Sequence, residues 1–225
     1  MNESELDRLI WSSLNSVHRH LAIKNRLAAR YPAEMFQAAA VRETTPSAFN
    51  ELKKLVEVGE MIYLSGDIPE GIEGWEIESS VHVPQMVGED FEKRPGGDAN
   101  LLTVEDVPQM LELVALAQPG PFLPRTIEMG HYYGLRQDGQ LVAMAGERIH
   151  LTGWCEISAV CTHPEFRGLG YGGALTSLVA EGILARGEIP FLHVAAWNEV
   201  AIKLYQKMGF RLRTEIVLNE LIRRS

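Results

Sequence analysis

A chain of 225 residues, 46% hydrophobic and 23% charged, can bury a sizeable core without covalent staples and has the balance of a globular protein. Its formal net charge of -9 disfavours sequence-independent nucleic-acid binding, which needs a basic face, and no apolar run reaches the length of a membrane span. Met1 to Arg19 carry charges of both signs without the apolar block of a signal peptide, so a cytoplasmic location is expected.

In the first region Leu6, Ile10, Leu14, Val17 and Leu21 recur at three- and four-residue spacing, one face of a helix that Tyr31-Pro32 ends. A second helix is predicted from Pro46 to Val58, with Ser47 near its start and Gly59 as its stop. Met61 to Leu64 and Trp75 to Val83 read as strands between Gly/Pro/Asp turns. Lys and Arg number 10 against 17 Asp and Glu in the first hundred residues, and 11 against 13 in the rest. Between the two parts, Lys93-Arg94-Pro95-Gly96-Gly97-Asp98 reads as a linker, and the charge run Asp90 to Arg94 as solvated. The chain thus divides into residues 1–95, an α+β region, and residues 101–225.

The second region has an α/β rhythm. Leu101 to Val104 is a short strand and Val107 to Ala117 a helix, followed by a loop at Pro119-Gly120-Pro121. Gly134 to Gln137 and Leu141 to Ile149 form a hairpin around Asp138-Gly139. Glu156 to Thr162 is a strand, the segment Arg167 to Gly173 turns into a helix that runs to about Arg186, and Pro190 to Ala196 is a strand. A helix from Val200 to Met208 and a strand from Phe210 to Leu218 close the chain. Cys155 and Cys161 lie six apart on one extended strand, too far along it to bridge, and no spacing suggests a metal site. His18 and His20, two apart on the predicted first helix, cannot form a metal pair on one face.

The chemistry concentrates in Arg167-Gly168-Leu169-Gly170-Tyr171-Gly172-Gly173, between a strand and a helix. Glycines allow positive φ and close ligand approach, the helix start leaves unpaired N–H groups at its positive end, and Arg167 adds a cation. Together these suit a pyrophosphate. Gly168-x-Gly170-x-x-Gly173 matches the dinucleotide fingerprint literally, but the acidic residue expected about twenty positions on is replaced by Phe191-Leu192-His193. A P-loop is excluded, since no Gly-Lys-Ser/Thr follows.

The segment Val160 to Gly173 resembles motif A of the GNAT superfamily of N-acetyltransferases, Arg/Gln-x-x-Gly-x-Gly/Ala, with Arg167, Gly170 and Gly172 at its fixed positions. The run from Asn198 to Phe210 resembles the family's motif B, and Pro190 to Val194 with the last strand looks closest to the FR47-like branch. The resemblance spans residues 101–225. It implies a mixed, mostly antiparallel central sheet flanked by helices, with the N-terminal α+β region beside it, and acetyl-CoA as cofactor. It further implies that Val160, Cys161 and Thr162 offer backbone groups to the pantetheine arm. The N–H groups of Gly168, Leu169, Gly170, Tyr171, Gly172 and Gly173 would hold the pyrophosphate, Asn198 would contact the cofactor, and Tyr205 would protonate the departing thiolate. Amine attack also needs a base. Glu156 is the choice; Ser158, on the same face of the strand entering motif A, and Glu147, His193 and Glu128 are the other candidates. The expected reaction is acetyl transfer to a small-molecule or peptide amine, without metal, nucleic acid or membrane, and a homodimer stays open. The alternatives are a non-catalytic acyl-CoA-binding module and a dinucleotide-binding oxidoreductase.

Overall fold

A computed structural model describes residues 2–95 and 97–225. The N-terminal helical pattern breaks early. A 3-10 turn at Glu3–Arg8 leads into helix α1, Leu9–Asn15, and a second 3-10 turn at Val17–His20 follows. The expected helix to Tyr31 is replaced by two strands, β1 (Ile23–Lys24) and β2 (Ala28–Arg30). Asn15 and Ser16 supply the physical reason. Their side chains compete for backbone hydrogen bonds, as when the Ser16 hydroxyl donates to Ser12 O (2.6 Å), and Ser16 itself leaves the helical region at φ -124°, ψ -106°. Strand β3 spans Ala38–Val41, helix α2 Pro46–Lys53, β4 Met61–Ser65 and β5 Trp75–Val87. Thr45 rather than Ser47 caps α2, its hydroxyl accepting from Ala48 N (3.3 Å) with Pro46 at the first position.

In the second region, β6 is Asn100–Leu101, α3 Val107–Ala117, β7 Tyr132–Gln137 and β8 Gln140–Leu151. Then come β9 (Trp154–Thr162), α4 (Tyr171–Ala185), β10 (Ile189–His193), α5 (Glu199–Lys207) and β11 (Arg211–Arg223). The turn between β7 and β8 has Asp138 at φ 49° and Gly139 at φ 83°, the two left-handed residues an Asp-Gly hairpin needs.

All eleven strands form one sheet in the order β1-β2-β3-β4-β11-β5-β10-β9-β8-β7-β6. Only β3–β4 and β9–β10 pair in parallel, so the sheet is mixed and mostly antiparallel. The boundary expected near residue 95 falls between β5 and β6, which both belong to this sheet: β5 runs between β10 and β11. The sequence pattern stops β5 at Val83 because Pro84 cannot donate to a ladder. The strand nevertheless continues to Val87, with Pro84 O accepting from Val194 N (3.1 Å).

One face of the central strands packs on α4 and α5, through Cys155, Ile157, Leu175, Val179, Leu192 and Tyr205 among others. On the other face, α1 and the Tyr31–Phe36 segment cover Ile149, Trp154 and Phe191, and α3 covers Met144, Ala159 and Cys161. No helix among the described residues is long and apolar enough to cross a membrane.

Candidate active site

β9 and β10 pair in parallel from Trp154/Ile189 only as far as Ile157/Leu192. Beyond Ile157, β9 continues to Thr162 without a partner on that side, so the two strands part as a wedge. A bulge sits at the same level. Between the pairs Gly146/Ser158 and Met144/Cys161, two residues of β9, Ala159 and Val160, face the single residue Ala145. Ala159 takes φ +51°, uncommon for a residue with a side chain and a mark of local constraint. The bulge redirects the strand: Cys155 and Ile157 face α4, whereas Ala159 and Cys161 face α3. Val160 and Thr162 then lie beside the first turn of α4, where an added Cβ on Gly172 would come within 3.8 Å of Val160 Cγ1 and 4.0 Å of Thr162 Oγ1.

The loop at the mouth of the wedge is built as an anion cradle. Gly168 (φ 83°) and Gly170 (φ 85°) need glycine for their backbone, and an added Cβ at either would meet nothing within 4 Å, so the space over them is open. Ala174 N makes the first hydrogen bond of α4, to Gly170 O (3.1 Å), and no side chain caps the helix. The N–H groups of Tyr171, Gly172 and Gly173 are therefore left to an outside acceptor at the positive end of a 15-residue helix. Arg167 is exposed beside them, its Nε donating to Thr162 O (3.4 Å), and Leu169 is 61% exposed. The Tyr171 hydroxyl accepts from Gln137 Nε2 (3.2 Å). This donor set fits a phosphate-bearing cofactor.

Across the wedge, Asn198 caps α5, its Oδ1 accepting from Ala201 N (3.1 Å). Tyr205 lies two helical turns further on, buried against Phe210 at 6.0 Å between ring centres. Burial raises the pKa of its hydroxyl, with the Cys161 thiol a smaller contributor, so it stays protonated at neutral pH. No group among the described residues hydrogen-bonds that hydroxyl, which leaves its proton for a ligand.

The carboxylate expected to be the base is differently placed. Glu156 is 1% exposed and points to the face away from α4. Arg148 donates to it twice, Nε to Oε2 and Nη2 to Oε1, each at 2.9 Å; His193 Nδ1 lies 2.8 Å from Oε1, and Ile149 N donates to Oε2 (3.3 Å). Burial alone would raise its pKa, but the Arg148 guanidinium and the His193 hydrogen bond override burial and hold it at about 2. A carboxylate so acidic, with four donors on two oxygens, does not act as a free base at neutral pH; this environment argues against that role and for an anchor. The neighbouring contacts fix the histidine tautomer. Arg213 Nη1 donates to Gln85 Oε1 (2.9 Å), which turns the Gln85 amide nitrogen toward His193 Nε2 (3.0 Å). Nε2 therefore accepts, and Nδ1 carries the hydrogen that goes to Glu156. Glu147 is paired with Arg186 (2.8 Å) and Glu128 with Arg125 (2.7 Å), so neither is a free carboxylate.

Glu156 and His193 floor a pocket of about 110 Å³. Its walls include Ile10 of α1, Phe36, Tyr63 of β4 and Ile216 and Leu218 of β11, so the N-terminal region closes this side of the wedge. Arg148 stacks over the Phe36 ring at 4.5 Å. Arg148, Gln85 and Arg213 carry no sequence signal of their own. Alternation along β8 places Arg148 opposite Glu156 only once the register with β9 is known.

The profile of the FR47-like protein family matches residues 132–218, which run from β7 into β11 and hold the whole wedge. A solved structure of a GNAT-family protein from Novosphingobium aromaticivorans is 33% identical, covering 98% of this chain and 99% of that one, with a TM-score of 0.89. A GNAT structure from Kribbella flavida shares the fold at 17% identity, covering 95% and 94% of the two chains, with a TM-score of 0.64. The N-alpha-acetyltransferase RimI of Mycobacterium tuberculosis is 33% identical over 84 residues, 36% of this chain; the match spans about half of that relative, 52%. With a family relative matched over nearly its full length and the wedge, bulge and uncapped glycine loop in place, the chain belongs to the GNAT superfamily and is an acyltransferase of the N-acetyltransferase type.

Proposed function

We propose that the protein transfers an acetyl group from acetyl-CoA to an amine that carries a compact apolar group. The observation that carries this reading is the wedge itself, with uncapped helix N–H groups on one face and a pocket floored by His193 on the other. Acetyl-CoA, when bound, supplies an acyl group activated as a thioester. The N–H groups from Gly168 through Leu169, Gly170, Tyr171 and Gly172 to Gly173 bind its pyrophosphate, with Arg167 as counter-charge. The unpaired edge of β9 at Val160, Cys161 and Thr162 aligns the pantetheine arm through backbone hydrogen bonds, and Asn198 flanks it. Tyr205 donates its proton to the departing sulfur.

We assign the base to His193 and the positioning role to Glu156. Gln85, buried behind the pocket, now donates to His193 Nε2. An acceptor ammonium that replaces this amide would place its own N–H on the same lone pair. His193 then takes the proton as the amine attacks, and Glu156 on Nδ1 stabilises the imidazolium. The walls at Ile10, Phe36, Tyr63 and Leu218 favour an apolar substituent next to the amine.

The test is a panel of amines (amino acids, polyamines, peptide termini and aminoglycosides) offered with labelled acetyl-CoA, reading thiol release and label in the product. Acetylation of an apolar amine well above hydrolysis is expected. Thiol release with none of them, in a protein that binds acetyl-CoA, would overturn the proposal.

A further inference from the structure

The segment that follows β5 is not a free linker. It straps across the outside of α5 and α4 on its way to the sheet edge. Gly88 lies against Phe210, so close that a Cβ there would fall 2.6 Å from the ring. Phe91 is buried beside Phe210 at 6.1 Å between ring centres, and Glu92 N donates to Met208 O (2.7 Å) at the end of α5. On α4, Lys93 pairs with Glu181 (3.5 Å) and Arg94 N donates to Ser177 Oγ (2.7 Å). Ser177 is one turn beyond Gly173, and there the Arg94 side chain comes to rest: an added Cβ on Gly173 would lie 3.3 Å from Arg94 Nη1 and 3.4 Å from Leu204 Cδ1. Gly173 has no positive φ, so no backbone need explains it. Its missing side chain is the seat of the Arg94 guanidinium.

That seat is electrostatically adverse in the protein alone. A cation is held at the positive end of α4, beside three uncapped N–H groups, and no carboxylate among the described residues pairs with Arg94. The other arginine of the adjoining cleft, Arg136, is taken up by Asp106, Gln109 and Gly139 O. The cleft measures about 680 Å³ and runs from Arg94 past Gly170 and Tyr171 to Gln137.

We infer that Arg94 is a phosphate ligand of the cofactor, delivered from outside the region that carries the family motifs. The inference rests on the reading of the α4 N-terminus as the pyrophosphate site. Two cofactor phosphates could meet the guanidinium, the pyrophosphate and the 3′-phosphate of the ribose. Its place over the first turn of α4 points to the pyrophosphate.

Calorimetric titration with CoA and dephospho-CoA tests this on wild-type protein and on Arg94→Ala, Arg94→Lys and Lys93→Ala. Arg94→Ala is expected to weaken CoA roughly tenfold, the size of one charge-assisted contact. Arg94→Lys recovers part of the loss, and Lys93→Ala stays near wild type. An equal loss on dephospho-CoA assigns the pyrophosphate; a loss confined to CoA assigns the 3′-phosphate, and both uphold a phosphate ligand. The melting temperature without ligand is expected to stay within about 2 °C of wild type, because the removed charge had no partner. Unchanged CoA affinity of Arg94→Ala overturns the inference, and so does an affinity loss matched by a fall in ligand-free stability. If wild-type protein binds neither ligand, the pyrophosphate reading falls, and the role of Arg94 with it.

Discussion

Gly170→Asp separates the needs of folding from those of binding at one atom. Gly170 precedes α4 with φ 85° and ψ 0°, and nothing lies within 4 Å of where its Cβ would be. The left-handed backbone costs about 1–2 kcal/mol for an ordinary side chain, less for Asp or Asn. A carboxylate at the start of a helix returns about 0.3–1 kcal/mol from the dipole. The two nearly offset each other, so ligand-free Gly170→Asp is expected to melt within about 4 °C of wild type. Binding responds differently. The new carboxylate takes the uncapped N–H groups and repels phosphate, removing two or more charge-assisted hydrogen bonds of about 1.5 kcal/mol each, which is roughly a hundredfold in affinity. Gly170→Asn keeps the shape without the charge and is expected to lose about tenfold. Calorimetry with CoA, alongside a thermal melt, reads both quantities. Gly170→Asp binding CoA within a factor of about three of wild type, half a decade or 0.7 kcal/mol, would refute the placement of the phosphate.

Tyr205→Phe is expected to lower kcat by about a hundredfold with cofactor Kd unchanged, since only a proton donor is lost; equal kcat in single-turnover kinetics would remove that role. Glu156→Ala is expected to cost about 3–5 kcal/mol in a denaturant titration, because it leaves the Arg148 charge buried and unpaired; a cost under about 1 kcal/mol would contradict the anchoring role. His18 is buried between Tyr31 and Met129 O, and burial, with smaller contributions from His150 and His20, lowers its pKa to about 4. The unfolded chain then binds the proton first, so stability falls by roughly 3 kcal/mol as pH drops from 6.5 to 4. His18→Gln is expected to flatten that part of the pH–stability curve, and an unaltered slope would exclude His18 as its source.

The glycine loop was legible in sequence because its residue types are dictated locally: positive φ at Gly168 and Gly170, and room at Gly172 and Gly173. The hairpin at Asp138-Gly139 was legible for the same reason. The helix from Pro46 and the strands from Met61 and Trp75 were legible too, but the first forty residues were not. Ala28–Arg30 and Ala38–Val41 carry little β signal, and they become strands because they pair with each other and, through Ala38 and Ala39, with β4. The insertion of β5 between β10 and β11 is likewise long-range, since Pro84 argued locally for a stop. Glu156 stood out in the sequence as a carboxylate on β9, but its environment depends on Arg148 and His193, which reach it only through strand register. Arg94 looked like part of a solvated run, and only the course of the strap over α4 brings it to Gly173.

The most direct measurement is a titration of the wild-type protein with acetyl-CoA, followed by the same protein turning over an apolar amine in the same buffer. Micromolar one-to-one binding, with thiol release that requires both the amine and His193, is the predicted result. Binding without amine-dependent thiol release, or no binding at all, would contradict acetyl transfer at the wedge between β9 and β10.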